Sequence, residues 1–122
     1  METTRQLIEK INQLFLDNDM EAFMGYIADD MVWDMYTSTS GHTTLRGIEE
    51  IGNMDPGNMP EKMDFSFDTV VVEGDIAIAN GSSTGVTKNG KPYKGNFCDI
   101  YQFSGGKIIK MTSYVIDNIE KD

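Results

Sequence analysis

From Phe65 onward the chain reads as four β-rich runs separated by three tight-turn signals, which limits the fold more than any other feature. Phe65 to Glu73 and Ile76 to Val86 flank Gly74-Asp75. Asn89-Gly90 leads into Pro92 to Phe103, and Ser104-Gly105-Gly106 into Lys107 to Ile116. Asn-Gly and Gly-Gly pairs adopt the positive φ angles of two-residue hairpin turns. The four runs are therefore expected to fold back on one another as an antiparallel meander.

Upstream, the period changes. Leu7, Ile8, Ile11, Leu14 and Phe15 form one apolar stripe, predicting a helix from about Thr4 to Leu16. Asn18 or Asp19 caps a second, shorter helix that buries Met20, Phe23, Met24 and Ile27 and ends at Asp29-Asp30. Met31 to Tyr36 reads as a first strand and Thr37 to Thr44 as a polar loop containing His42. Gly47 to Ile51 reads as a third helix and Gly52 to Pro60 as loop. Helices and strands are segregated, which indicates α+β. Gly81, Gly85 and Gly95 within long strands predict a strongly curved, mostly antiparallel sheet. Closed at one end by the N-terminal helices, such a sheet would be cone-shaped and would enclose a pocket.

Composition removes several function classes. At 122 residues the chain has the length of one domain, expected to span 1–122. Ten Lys/Arg against twenty Asp/Glu give a net charge of −10, a balance that repels a phosphate backbone and argues against nucleic acid. Twelve of the acids fall in residues 1–61, where they read as a solvated helical face. The Asp17, Asp19, Glu21 stretch lacks the glycine and glutamate spacing of a calcium loop. A single cysteine and a single histidine argue against a disulfide framework and a multi-histidine metal site. With no apolar run near ~20 residues and no basic, apolar leader, no membrane partner and a cytoplasmic location are expected. No glycine-rich phosphate loop or ligand cluster is visible, so no cofactor and no metal are expected.

Within the third run of the meander, alternation places Phe97, Asp99, Tyr101 and Phe103 on one face. Asn96, Cys98, Ile100 and Gln102 take the other. A carboxylate among three aromatics is costly to bury ionised and should titrate high, a marker of functional sites. The bland alternative is a carboxylate held by Ser or Thr on neighbouring strands. Cys98 reads as a small buried hydrophobe. By the same alternation Trp33 and Met35 face one way and Asp34 the other.

Several short pieces, in this order and spacing, resemble the nuclear transport factor 2-like superfamily, in its SnoaL-like polyketide cyclase and ketosteroid isomerase branch. They are Asp19-Met20-Glu21-Ala22, Tyr26-Ile27-Ala28-Asp29-Asp30, Gly47-Ile48-Glu49-Glu50-Ile51, and Asp99-Ile100-Tyr101-Gln102-Phe103 with Gly106-Lys107-Ile108 and Tyr114. The resemblance implies the cone-shaped α+β fold and a pocket, but not one reaction. In the isomerases a strand aspartate donates to the developing oxyanion, and Asp99 occupies that place. The isomerase tyrosine and general-base aspartate fall at about Ile11 and Met35, so two roles of that mechanism are unfilled. Cyclases of the branch assist a strand aspartate with histidine, for which His42 is the candidate. The aspartate–arginine–aspartate set of the epoxide hydrolases finds only Arg5 and Arg46, neither on a late strand.

The resemblance places the Met111, Ser113 and Val115 face inside. Trp33, Met35, Phe67, Phe97, Met111, Ser113 and Val115 are thus the expected ligand-binding residues, suited to a small apolar or aromatic organic ligand. Alternatively these side chains, with nine methionines available, fill the interior. Asp99, His42 and Tyr101 are the candidate catalytic residues for cofactor-independent acid/base chemistry, as isomerase, cyclase or lyase, on a small carbonyl compound. The alternative is a non-catalytic small-molecule binder or dimeric scaffold. A homodimer through the outer sheet face of Asn96, Ile100, Ile108 and Thr112 is implied by the resemblance.

Overall fold

Local capping sets the helix starts. In the computed structural model, which describes residues 2–38, 41–52, 62–86, 90 and 92–119, Thr3 opens helix α1 (Thr4–Leu16) with a capping box. The Thr3 hydroxyl accepts from the Gln6 amide at 3.1 Å, and the Gln6 side chain accepts from the Thr3 amide at 2.9 Å. Asp19 caps α2 (Met20–Met24) by accepting from the Ala22 amide at 3.1 Å. Helix α2 stops at Gly25, earlier than expected, and Asp29 and Asp30 lie exposed within strand β1 (Ile27–Thr37).

Strand β2 (Gly41–Arg46) and helix α3 (Gly47–Gly52) follow, then β3 (Lys62–Glu73), β4 (Ile76–Val86), β5 (Pro92–Ser104) and β6 (Lys107–Ile119). The expected loop from Gly52 to Pro60 lies almost wholly outside the described residues, as does Asn89 of the Asn-Gly turn. In the Ser104-Gly105-Gly106 turn both glycines have positive φ, 58° and 80°, as a two-residue hairpin turn requires.

The meander is found, and the sheet around it corrects the expected shape. Six strands lie in the order β2-β1-β6-β5-β4-β3, with β2 and β3 as unjoined edges. Rather than a strongly curved, cone-shaped sheet, the described residues form an open mixed sheet, neither tightly curled nor closed, with three helices among them on one face. Strands β1 and β6 are parallel, whereas the other pairs are antiparallel. The parallel pair arises where α2 ends. There the Ile108 amide donates to the Tyr26 carbonyl at 2.7 Å and Lys107 Nζ to the Gly25 carbonyl at 2.5 Å. These bonds fasten the start of β1 beside the start of β6, so both run the same way.

The glycines read as bends serve close approach instead. A Cβ on Gly81 would lie 1.9 Å from the Ser66 carbonyl oxygen, and one on Gly95 2.7 Å from the Tyr93 hydroxyl. Neither glycine has a positive φ. Part of the expected Thr37 to Thr44 loop is edge strand β2, which adds a pairing partner for β1. An irregularity between Gln102 and Phe103 also pairs Phe103 with Ile108 and turns Ile108 into the core, away from the outer face assigned to it.

The core lies between the sheet and the helices. Leu7, Ile8 and Ile11 of α1, Phe23 of α2 and Ile51 of α3 form one cluster with Met31, Ala77, Ala79, Tyr101, Phe103, Ile108 and Met111 of the sheet. Ile8, Ile11, Tyr101, Ile108 and Met31 are fully enclosed. Burying a side chain of this size contributes about 1.5–3 kcal/mol.

Candidate functional site

Three neighbouring rungs of the covered face bring the candidate residues together. On the first, Leu45, Trp33, Met111, Tyr101, Ala77 and Val72 follow one another across the sheet. On the second the sequence is Thr43, Met35, Ser113, Asp99, Ala79 and Val70. On the third Thr37, Val115, Phe97, Gly81 and Phe67 align. Nine of the ten expected site residues thus share one face: Asp99, Tyr101, Trp33, Met35, Phe67, Phe97, Met111, Ser113 and Val115. The tenth, His42, pairs with Tyr36 on the opposite face.

Asp99 is the chemical centre of this face. Its cross-strand partner Ser113 is buried and hydrogen-bonds the carboxylate. The Ser113 hydroxyl also accepts from Trp33 Nε1 at 2.9 Å, which ties β6 to β1 beside Asp99. Burial pushes the Asp99 pKa up to about 6, and the Ser113 bond offsets only part of that. The apolar and aromatic neighbours offer little else to solvate the charge: Ala79 is its partner on β4, and Phe97 and Tyr101 flank it along β5.

Tyr101 and Asn12 stand out for what they do not bond. Tyr101 is fully buried, and among the described residues its hydroxyl has no hydrogen-bond partner. Burial, reinforced by the nearby Asp99 charge, holds the phenol well above its ordinary pKa, so it stays protonated. Asn12, on the buried side of α1 and 8% exposed, has an equally unpartnered Oδ1. Buried polar atoms are nearly always bonded, so these two orphans beside the covered face, like a third, Asn80 Oδ1, on the open face, call for an explanation. The sequence reading missed Asn12. The signal was present: residue 12 falls on the stripe of Leu7, Ile8 and Ile11, where an apolar side chain is expected.

Further along the covered face lies a second polar group, also missed. Tyr93 donates to Asp117 Oδ1 at 2.5 Å, and Ser83 hydrogen-bonds the same phenol. Burial and the Asp117 charge raise the Tyr93 pKa. This group is bonded within itself.

On the open face, the His42 ring lies flat against Tyr36, with centroids 4.3 Å apart, and Tyr36 stacks on Tyr114 at 5.2 Å. His42 Nε2 is 3.0 Å from Asp34 Oδ1, to which Thr44 Oγ1 donates at 2.6 Å. These bonds, from Thr44 first and His42 second, hold the Asp34 pKa below the ordinary carboxylate range. Cys98 also faces this side, and burial pushes its thiol up. Among the described residues no group of His, Cys, Asp and Glu could hold a metal ion, and no helix is long and apolar enough to cross a membrane.

Residues 8–111 match the SnoaL-like domain family, a span that takes in most of α1, all of β5 and Asp99. The chain belongs to the SnoaL-like family. Its structural relatives agree with that NTF2-like assignment. An NTF2-like protein of unknown function from Burkholderia pseudomallei superposes with a TM-score of 0.79 at 18% identity, covering 98% of this chain and 92% of that one. An NTF2-like protein from Burkholderia thailandensis gives 0.79 at 22% identity over 94% and 92%. A putative SnoaL-like polyketide cyclase from Jannaschia sp. gives 0.73 at 16% identity over 91% and 85%. No curated protein matches the sequence. At these identities the likeness speaks for the fold. In this SnoaL-like chain the covered face holds a pocket-forming apolar cluster with the half-buried Asp99 carboxylate beside it.

Proposed function

We propose that the helix-covered face binds a small, flat, apolar carbonyl compound and that Asp99 moves a proton on it without a cofactor, as in an isomerase, cyclase or lyase. The observation that carries this reading is Asp99, half-buried among apolar neighbours and titrating at about 6, on the same strand face as the unpartnered Tyr101 hydroxyl. A pKa near the working pH suits a group that both takes and returns a proton. In this mechanism the Asp99 carboxylate removes a proton from the carbon beside the carbonyl. The electron pair moves onto the carbonyl oxygen, which accepts a hydrogen bond from Tyr101. The Asp99 carboxylic acid then returns the proton to the same or a conjugated carbon. Trp33 acts through Ser113, whose hydroxyl orients the carboxylate. Trp33, Met35, Phe67, Phe97, Met111 and Val115 supply the apolar walls. His42 is outside this proposal, since it faces the other side of the sheet.

The test is exchange of α-hydrogens of cyclic and aryl ketones into D2O, followed by proton NMR. Wild type is expected to accelerate exchange with an inflection near pH 6, and Asp99→Asn to lose at least ~10²-fold. A loss below threefold on a ketone that the wild type turns over rules out the proton-transfer role. Retention of a ketone without exchange would favour the non-catalytic binder.

A second reading has its own observation. On the open face Tyr36, Tyr114 and Ile116 are 39%, 47% and 58% exposed. A homodimer through this face would cover them, and Tyr114→Arg would then shift the sedimentation coefficient to that of a monomer. A wild type already monomeric at micromolar concentration removes this reading.

A further inference from the structure

Helix α1 crosses the covered face in a direction that two contacts define. At its start Thr4 Oγ1 donates to the Gly74 carbonyl at 2.8 Å, and near its end the Phe15 ring meets that of Phe65 at 5.5 Å. The helix therefore runs from the β3–β4 turn back along β3, opposite to that strand. Asn12 lies about one turn, roughly 5 Å, before Phe15. That step reaches about the rung of Phe67, which continues across β4 as Gly81 and reaches Phe97 on β5, one rung from Asp99. The sheet there carries a glycine on β4, and the rung of Asp99 is the next one along the covered face.

We infer that Asn12 is a ligand-binding residue whose amide oxygen accepts a hydrogen bond from a neutral O–H on the ligand, making the preferred compound a hydroxylated ketone. The inference rests on the Asp99 reading above and adds a second recognition point to it. Three observations carry it. The Asn12 side chain is more than nine-tenths buried, its Oδ1 has no partner among the described residues, and α1 carries it over the rung next to that of Asp99. An asparagine on the apolar stripe of a helix weakens the fold unless its amide is used. The two orphaned groups also differ in sense. Tyr101 has a hydroxyl proton to give, which suits a carbonyl oxygen, whereas Asn12 Oδ1 can only accept, which suits a hydroxyl. A ligand satisfying both therefore carries a carbonyl and, across its apolar body, a hydroxyl group.

The experiment compares 1-tetralone with 6-hydroxy-1-tetralone as probes. Binding is read from the fluorescence of Trp33, the sole tryptophan, which hydrogen-bonds Ser113 beside Asp99. Wild type is expected to bind the hydroxy compound about 5–10-fold more tightly. Asn12→Leu should bind both ketones equally, at the wild-type affinity for 1-tetralone. It should also raise the melting temperature, because a buried unpaired amide has been replaced by an apolar side chain. Asn12→Asp, which keeps an acceptor, should retain the preference for the hydroxy compound. Two results overturn the assignment while leaving the Asp99 site standing: a hydroxyl preference that survives in Asn12→Leu, or 1-tetralone binding with no preference in wild type. A fall in the Asn12→Leu melting temperature overturns it too, by showing that the amide supports the fold. If neither ketone binds wild type at millimolar concentration, both the Asn12 and the Asp99 readings fail.

Discussion

Both faces of the sheet carry an aspartate with a hydroxyl beside it, and the two are driven in opposite directions. Asp99, on the covered face, has Ser113 as its donor, and the apolar surroundings prevail, so its pKa rises to about 6. Asp34, on the open face, has Thr44 and His42, whose hydrogen bonds outweigh its desolvation, and its pKa falls. The residue type and the strand setting are similar; the layer of helices differs. A hydrogen bond to a carboxylate lowers its pKa wherever it is made, and desolvation decides whether the bond prevails. Chemistry that needs a carboxyl poised between its two states is therefore confined to the covered side, while the Asp34–His42 pair resembles an ordinary surface ion pair.

The comparison breaks first if the covered face loses its floor. Gly81→Val must drive a side chain into the Ser66 carbonyl, so it should destabilise by about 4 kcal/mol in urea unfolding. An equally bulky change at exposed Gly105 would meet nothing within 4 Å and would carry only the strain of its positive φ.

Next comes the pH dependence, where the two aspartates should differ in sign. The Asp99 pKa is raised on folding, from 3.8 to about 6, so between those values the native state holds more protons than the unfolded chain. Its contribution makes stability fall as pH rises from 4 to 6, by on the order of 3 kcal/mol in total. Asp99→Asn should remove that fall, leaving the variant more stable than wild type at pH 7, as urea titrations at pH 4, 5, 6 and 7 would show. The Asp34 pKa is lowered on folding, so its contribution is present above the unfolded value near 3.8 and fades as the solution is acidified below it. Asp34→Asn should therefore leave the slope between pH 4 and 6 in place.

Smaller still is the effect of the wiring behind Asp99. Ser113→Ala removes the hydroxyl that offsets burial and leaves the Trp33 indole without its acceptor. It should cost about 1 kcal/mol and push the Asp99 pKa further up, which side-chain carboxyl NMR would follow. A downward shift would mean that Ser113 does not hold the ionised form. The smallest change is expected on the open face. His42→Ala should alter stability by less than about 0.5 kcal/mol, since a partly exposed pair contributes little. It should leave ketone binding unchanged; a tenfold loss would bring His42 back into the site.

Much of this was legible in the residues themselves. The apolar stripe of Leu7, Ile8 and Ile11, the cap at Asp19, and the alternation Phe97, Asp99, Tyr101, Phe103 are local patterns, and they mark a helix face, a helix start and a strand face before any tertiary contact forms. Period-two alternation is why the covered face, Asp99 included, could be assigned from sequence. What failed were assignments that depend on a neighbour. Edge strand β2 reads as polar loop because residues such as His42, Thr43 and Thr44 form a strand only through β1. The side on which Ile108 lies hangs on one irregularity beside Phe103. The glycines taken for bends are explained by a carbonyl and a phenol that come close only after folding.

The sequence by itself thus determined most of the elements, most of their faces and the placing of one aspartate among aromatics, because each follows from side-chain spacing along a single segment. Tertiary structure alone decided that the sheet is open and mixed, with β1 parallel to β6, because pairing between distant strands leaves no local mark. It also decided that His42 and Asp99 lie on opposite faces, and that the Tyr101 hydroxyl and the Asn12 amide are buried without partners. Burial and hydrogen bonding are properties of what surrounds a group, and those surroundings exist only once α1 lies across the sheet.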